Sequence, residues 1–450
     1  MDDRTGEAGQ DETARTLLPT RGNAWASDLD RARPSQLGDG QTGMLRLLRN
    51  PAFISVALGH FVVDALSAQV GLLLAVLSGP LGLSNAAIGG IATAFSFLVG
   101  VSQPAFGWLT DRFGDRWTSA GGVMWIAGCF SLAGLVPTGW APVAIVAAAP
   151  GSGALHPSGA ARTSRLARLI LAGEAATATS IFILFGQVGY AIGPAAGGVL
   201  LENLGRNGIL ILSLPGVLVG LVGLLFLHGD VSADVPVVQQ ASPEAGLGSI
   251  SRSSLRFLAL VLGLSGLRTW AEASVVTFIP KLYHDRGFTP THYGLVLMLF
   301  VAGMAVGGVA GGILGDRWDA RRTVGWGMAL GVLPFLFFPV AATPLAYLLI
   351  LLAGIFNGAP HSVLLTSAQS ALPGRGGMAT GLAFGSMFAI GALGVSLSGL
   401  IADRIGLAHA LQINAGLCLA AVILSLRLRR DPLEVIEVDA EPVKGRPARP

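Results

Sequence analysis

GWLTDR at residues 107–112 closes a long apolar run and returns as GILGDR at 312–317, so both stretches carry G-x-L-x-D-R. A second pair, GALH at 153–156 and GAPH at 358–361, keeps the same separation: Asp111 and Asp316 are 205 positions apart, and so are His156 and His361. Two motifs on different segments that hold one spacing are hard to obtain from composition alone, even with 63 glycines in 450 residues. The chain therefore reads as an internal duplication, and the fold follows from what surrounds the repeated motif.

What surrounds it is lipid-soluble. Hydrophobic residues make up 52% and charged residues 12% of the chain, too apolar and too glycine-rich for a soluble enzyme of this length. A window of about 19 residues finds apolar spans near 51–77, 85–106, 118–136, 140–163, 174–200 and 207–227. After the polar stretch HGDVSADVPVVQQASPEAGLGS, further spans lie near 255–279, 291–313, 323–341, 344–370, 376–400 and 407–426. Each is long enough to cross a hydrocarbon core of about 30 Å as a helix. The expected architecture is an all-α membrane protein with about twelve transmembrane helices in two pseudo-symmetric six-helix bundles. Its expected parts are a disordered tail at 1–48, a first bundle at 49–228, a linker at 229–253, a second bundle at 254–428 and a tail at 429–450.

The arginines fall on one side. The turns DRFGDRWTS, ARTSRLARL and GDRWDARRT and the run RLRRD hold most of them, whereas GPLGLSN, PTGWAP and PVAATP hold no charge. The positive-inside rule then places both termini in the cytoplasm, with the chain in an inner, or plasma, membrane. A net charge of +3 gives no reason to expect nucleic acid as a partner. Cys129 and Cys418 sit in apolar runs and read as small core residues, not as a disulfide. No G-x-x-x-x-G-K-[ST] occurs, and glycine runs such as GGVAGG lie inside apolar segments and follow no strand, so an ATP-driven pump or another enzyme is not indicated. No cofactor and no metal are expected.

The G-x-L-x-D-R turn between the second and third spans, repeated between the eighth and ninth, resembles the signature loop of the major facilitator superfamily, over about residues 50–427. GHFVVDAL at 59–66, LHPSGAAR at 155–162, LRTWAEASVVTFIP at 267–280 and SAQSALPGRGGMATGLAFG at 367–385 resemble one branch of it, the fosmidomycin resistance proteins. Where that branch has an acid after the His-Pro of the fourth helix, this chain has Ser158, so no role of an acid there carries over. The resemblance implies the major facilitator fold, a monomer, and a secondary transporter whose first, fourth, seventh and tenth helices line a central cavity. Gly189, Gly193, Pro194, Gly197 and Gly198 in the fifth span resemble the antiporter motif of drug exporters; glycine packing without functional meaning is the alternative reading.

The loop has a physical logic of its own. Asp111, with Arg112, and Asp316, with Arg317, end apolar helices where a carboxylate accepts hydrogen bonds from a helix N-terminus or an arginine of the neighbouring bundle, while Gly107 allows close packing. Such a contact would act as a conformational switch; the arginines as plain topology determinants are the alternative.

Ionisable residues inside the spans are few, and a charge at mid-bilayer costs roughly 2.5–3.5 kcal/mol or more, so they are expected to face a cleft. They are His60 and Asp64 in the first span, His156 in the fourth, Arg268 and Glu272 in the seventh and His361 in the tenth. Spacing i, i+4 places His60 with Asp64, and Arg268 with Glu272, on single helix faces. Asp64 is expected to carry the coupling proton, tuned by His60, with Glu272 as the rival carrier; a neutral structural pair is the alternative. Arg268 is expected to present its fork to an anionic substrate when Glu272 is protonated, or else to form a static ion pair. His156, His361, Trp270 and Gln187 complete the expected substrate contacts, with proline-associated capping open for the two histidines and packing for the others. The sequence thus points to proton-coupled efflux of a small polar or anionic compound. Proton-coupled import, facilitated passage of a small anion, and a non-transporting sensor stay open.

Overall fold

The computed structural model describes residues 40–170, 175–227, 252–371 and 376–428. The expected linker and both tails lie outside these, with two exceptions. Residues 40–48, expected within the disordered first tail, form most of helix α1 (Gly40–Arg49), and the first helix of the second half begins at Arg252. Leu47 explains the first difference: it is fully buried in a cluster with Phe53, Val56 and Phe182, and that burial offsets the entropy of ordering a short segment. By packing, the chain divides into Met1–Arg46 and Leu47–Pro450; the bundle belongs to the second.

In chain order the first half holds α2 (Pro51–Ser67), α3 (Gln69–Leu81), α4 (Asn85–Phe113), α5 (Asp115–Leu135), α6 (Ala141–Ala147), α7 (Ala149–Ile170), α8 (Ala175–Leu204) and α9 (Gly208–Phe226). The second holds α10 (Arg252–Asp285), α11 (Pro290–Arg317), α12 (Ala320–Phe337), α13 (Thr343–Gly358), α14 (Pro360–Ser370), α15 (Gly376–Ile405) and α16 (Leu407–Ser425). With α2–α3, α6–α7 and α13–α14 each forming one broken rod, the described residues give six spans to each half.

Among the described residues eight segments are apolar and long enough to cross a membrane, one of them, Thr177–Phe226, containing most of α8 and α9 in series. The rods outside that set are α6–α7, α10 and α12, which carry Arg162, Arg165 and Arg168, Arg268 and Glu272, and Arg321 and Arg322.

Local chemistry sets the helix ends. Pro51 stands at the first position of α2 and Asn50 caps it, its side chain accepting from the amides of Ala52 and Phe53 at 3.0 and 3.1 Å. Gly82, at φ 60°, ends α3 in the left-handed region, and Ser84 starts α4 by accepting from Ala87 N. The first rod is interrupted at Ala68, four residues past Asp64, without a proline; the fourth breaks at Ala148 and the tenth at Ala359, before Pro360.

The halves repeat each other in packing. α5 lies along α9 as α12 lies along α16, and α2 lies along α8 as α10 lies along α15. Three seams join the halves: α3 with α10, α4 with α15, and α8 with α11. All three run at the face opposite the G-x-L-x-D-R loops, and glycine makes them close. A Cβ on Gly71 would lie 2.6 Å from the carbonyl oxygen of Val276, on Gly89 2.9 Å from that of Val395, and on Gly294 2.3 Å from that of Pro194.

Two carboxylates finish the closure. Asp403, at the end of α15, accepts from the amides of Asn85 (2.8 Å) and Ala86 (3.0 Å) at the start of α4. Glu202, at the end of α8, accepts from Thr291 N at the start of α11, at 3.2 Å. Each half thus caps a helix N-terminus of the other.

Candidate functional site

Asp64 sits between two imidazoles. Its Oδ2 lies 3.3 Å from Nε2 of His60, one turn back on α2, and its Oδ1 lies 3.5 Å from Nε2 of His156 on α7. Both rings are anchored through the other nitrogen: Nδ1 of His60 donates to the carbonyl of Phe182 at 2.8 Å, and Nδ1 of His156 to that of Ser152 at 2.7 Å. A carbonyl oxygen only accepts, so both Nδ1 atoms carry hydrogen, and a neutral ring then turns a lone pair, not an N–H, toward the carboxylate. Lone pair against carboxylate is repulsive. Each contact is attractive only if a proton sits on its Nε2 or on the carboxyl oxygen it faces, and the three groups lie close enough to share protons, their atoms all being within 4.8 Å of one another.

The neighbouring helix is shaped for this. Phe182 stacks on His60 with ring centres 4.2 Å apart, and Gly186, one turn further along α8, leaves room for the cluster: a Cβ there would lie 2.5 Å from the His60 ring and 2.7 Å from Asp64. His60 is buried, while the side chains of Asp64 and His156 keep 17% and 31% of their exposure, enough for solvent or substrate to reach them.

A second cluster faces it from the other half. Nη2 of Arg268 lies 2.8 Å from Oε2 of Glu272, and Nη1 donates to the carbonyl of Asn357 at 3.2 Å. His361 lies close enough to Arg268 to feel its charge, and its Nδ1 is buried without a hydrogen bond among the described residues. Between the clusters is a cavity of about 280 Å³ lined by Asp64, His156, Gln187, Tyr190, Glu272 and Phe388 among others. Tyr190 feels the charge of both Asp64 and Glu272.

Asp64, His156, Gln187 and Glu272 thus meet at one space, as expected from sequence. Arg268 does not line it: its side chain is 95% buried, and its paired Glu272 lines the cavity instead. His361 and Trp270 are also off the lining. Trp270 turns to α15, where its Nε1 donates to Ser398 Oγ at 3.0 Å and its ring fills the space over Gly394. Ser158, the departure from the related branch, is buried and accepts from Ser119 Oγ at 2.7 Å, joining α5 to α7.

The loop residues behave differently from the expectation. Asp111, Arg112, Asp316 and Arg317 are exposed, and among the described residues Asp111 and Asp316 form no hydrogen bond or ion pair. Gly107 has only Pro157 near its Cβ position, at 3.9 Å. The carboxylate contact with a helix N-terminus expected of Asp111 exists, but on the opposite face and through Asp403 and Glu202. The buried acid of the loop is Asp115, paired with Arg162 at 2.7 Å and with Arg165, which ties α5 to α7. In the fifth rod, Gly189, Gly193 and Gly197 face Phe61 O, Ala65 O and the Gln69 side chain of the first, while Pro194 and Gly198 meet α11 across the seam. The stretch is therefore packing against both a site helix and the other half.

Asp403 and Glu202 were legible in principle: ENLG at 202–205 and DRIG at 403–406 put an acid three residues before glycine at corresponding helix ends. Gly186 and Tyr190 had no such signal.

Two helical repeats around a cavity with ionisable groups from both halves define a membrane transporter of the alternating-access kind. The family model of the Major Facilitator Superfamily matches residues 56–280 and 258–450, and the chain belongs to that family. It is 29% identical over 378 residues to the fosmidomycin resistance protein of Escherichia coli (strain K12), covering 82% of this chain and 90% of that one. It is also 29% identical over 246 residues to the multidrug efflux pump Tap of Mycolicibacterium fortuitum, covering 51% and 58%. Among solved structures, a bacterial homologue of the human lysosomal transporter Spinster matches with a TM-score of 0.70 at 14% identity, covering 84% of this chain and 96% of that one. A D-xylose–proton symporter matches with a TM-score of 0.67 at 15% identity, covering 84% and 98%. These two share the fold.

Proposed function

We propose that this transporter exports a small polar or anionic compound from the cell in exchange for protons, as a monomer in the inner membrane with both termini in the cytoplasm. The carrying observation is the His60–Asp64–His156 contact, which is attractive only when protonated. Groups that face it are the Phe182 carbonyl, Gln187 and Tyr190 of α8 and, across the cavity, Glu272 of α10.

In this reading Asp64 accepts a proton from the far side and His60 and His156 hold it, so the loaded cluster carries less charge to desolvate when the cavity occludes. Glu272 is the gate to Arg268. A proton or a displaced rotamer on Glu272 frees the fork for an anionic group of the substrate, and the 2.8 Å ion pair re-forms when the substrate leaves. The exposed loop residues and the capped opposite face support assigning this conformation to the state open toward the cytoplasm, where an exporter loads. The resistance proteins among the relatives support drugs of the fosmidomycin kind as first candidates.

Reconstituted vesicles with an imposed pH gradient test the reading, with fosmidomycin as the first probe and a panel of small anions as the second. Substrate moving against the proton flow is the expected result. Co-movement would replace export by import, and binding without flux would make the protein a sensor.

A further inference from the structure

The first half carries a groove apart from the central cavity. Between α4, α5 and α7 lies an apolar cavity of about 550 Å³, lined by Phe106, Phe113, Trp117, Gly121, Trp125 and Gly151 among others. It opens on the outside of the bundle: Phe113, Trp117 and Trp125 are each more than half exposed. From Trp117 to Trp125 it descends two turns of α5, about 12 Å along the helix axis. Two arginines stand over rings at its loop end. Arg112 lies over the rings of Trp108 and Phe113 at 5.5 and 5.6 Å, and Arg116 over Trp117 at 5.0 Å while its Nε donates to the Leu224 carbonyl. Asp115 cannot neutralise them, because Arg162 and Arg165 occupy it; Asp111 is the remaining acid on that turn.

The duplication provides an internal comparison. Gly121 corresponds, 205 positions on, to Trp326, so the second half carries an indole where the first carries no side chain. The loop end of the second half instead holds a polar recess lined by Asp316, Asp319, Ser362 and Thr366. Nothing lies within 4 Å of where a Cβ on Gly121 would be, so this glycine leaves open space.

We infer that the groove holds one acyl chain of an anionic phospholipid, whose phosphate sits at Arg112 and Arg116. An apolar slot fits the chain, two adjacent cations fit the phosphodiester, and tryptophans at that level are the usual border between them. The corresponding recess in the second half is lined by Asp316 and Asp319 with serine and threonine, so the apolar site is assigned to the first half. Because the same turn carries Gly107, Asp111 and Arg112, the lipid bears on the segment that must move when the loop face closes.

The full chain in detergent, titrated with phosphatidylglycerol or with phosphatidylcholine of identical chains and read by native mass spectrometry, tests this. One retained phosphatidylglycerol is expected, favoured over phosphatidylcholine by about thirtyfold, the effect of two arginines near an anionic headgroup. Gly121→Trp, which copies the second half, should abolish the retained lipid, and Arg116→Gln should remove the headgroup preference. Equal retention of the two lipids by the unaltered chain, or undiminished retention by Gly121→Trp, overturns the inference. If that variant fails to insert, quenching by chain-brominated phosphatidylglycerol decides: a loss of the quenched signal in Trp117→Phe/Trp125→Phe supports the site, and an unchanged signal refutes it.

Discussion

Asp64 meets two rings whose other nitrogens are already committed to carbonyls, and this fixes what the cluster does on deprotonation: both contacts turn repulsive together. Asp64→Asn should therefore abolish transport driven by a pH gradient while substrate-for-substrate exchange continues, which counterflow in vesicles would show. If the variant still drives substrate uphill with normal pH dependence and Glu272→Gln does not, the proton belongs to α10. Gly186 gives a separate test, because a methyl group there would lie 2.5 Å from the His60 ring. Gly186→Ala should cost about 1–3 kcal/mol of stability by overpacking and impair coupling as His60 is displaced. Gly128→Ala, where nothing lies within 4 Å, should leave both unchanged in melts and flux assays. Arg268 could be paired with Glu272 from spacing alone, but whether it faced substrate depended on which atoms stood in front of it. The i, i+4 rule gives a helix face, not its neighbours.

At the level of helices, the two caps across the seams bind a carboxylate to a positive helix end, an interaction worth about 0.3–1 kcal/mol each at exposed sites. Asp403→Asn and Glu202→Gln should each shift the conformational balance toward opening of that face by roughly two- to fivefold, and together by the product, since the sites are far apart. Distances between spin labels across the face would report it; an unchanged distribution in the double variant would show that glycine packing alone holds the seams. Gly294→Val is the complementary test. Its side chain would collide with the Pro194 carbonyl, so the closed seam should be disfavoured more strongly than by either cap variant. Helix existence was readable from apolar length, and ends such as Asn50-Pro51 from their capping chemistry. The break at Ala68 was not readable, because no proline or glycine marks it and tertiary packing of Gln69 under Gly197 accompanies it.

For the whole molecule, alternating access requires the face now sealed to open and the loop face to close. Asp111 and Asp316 are exposed here, and in the proposed cycle their role falls in that second state, where the loops approach the other bundle. Asp111→Asn should leave insertion and the present conformation intact and lower the population closed at the loop face, slowing turnover; crosslinking across that mouth in the presence of substrate would reveal it. The sequence by itself determined that the chain spans a membrane, that its halves are duplicates, and which ionisable residues lie within the bilayer, since hydropathy, repeat spacing and rare charges are properties of one strand of text read along its length. Only the tertiary structure decided which acids clasp the halves, that Glu272 and not Arg268 lines the cavity, and that His156 joins His60 at Asp64. Those depend on contacts between segments far apart in the chain, whose rotation and depth are set by packing of whole helices and leave no local periodicity to read.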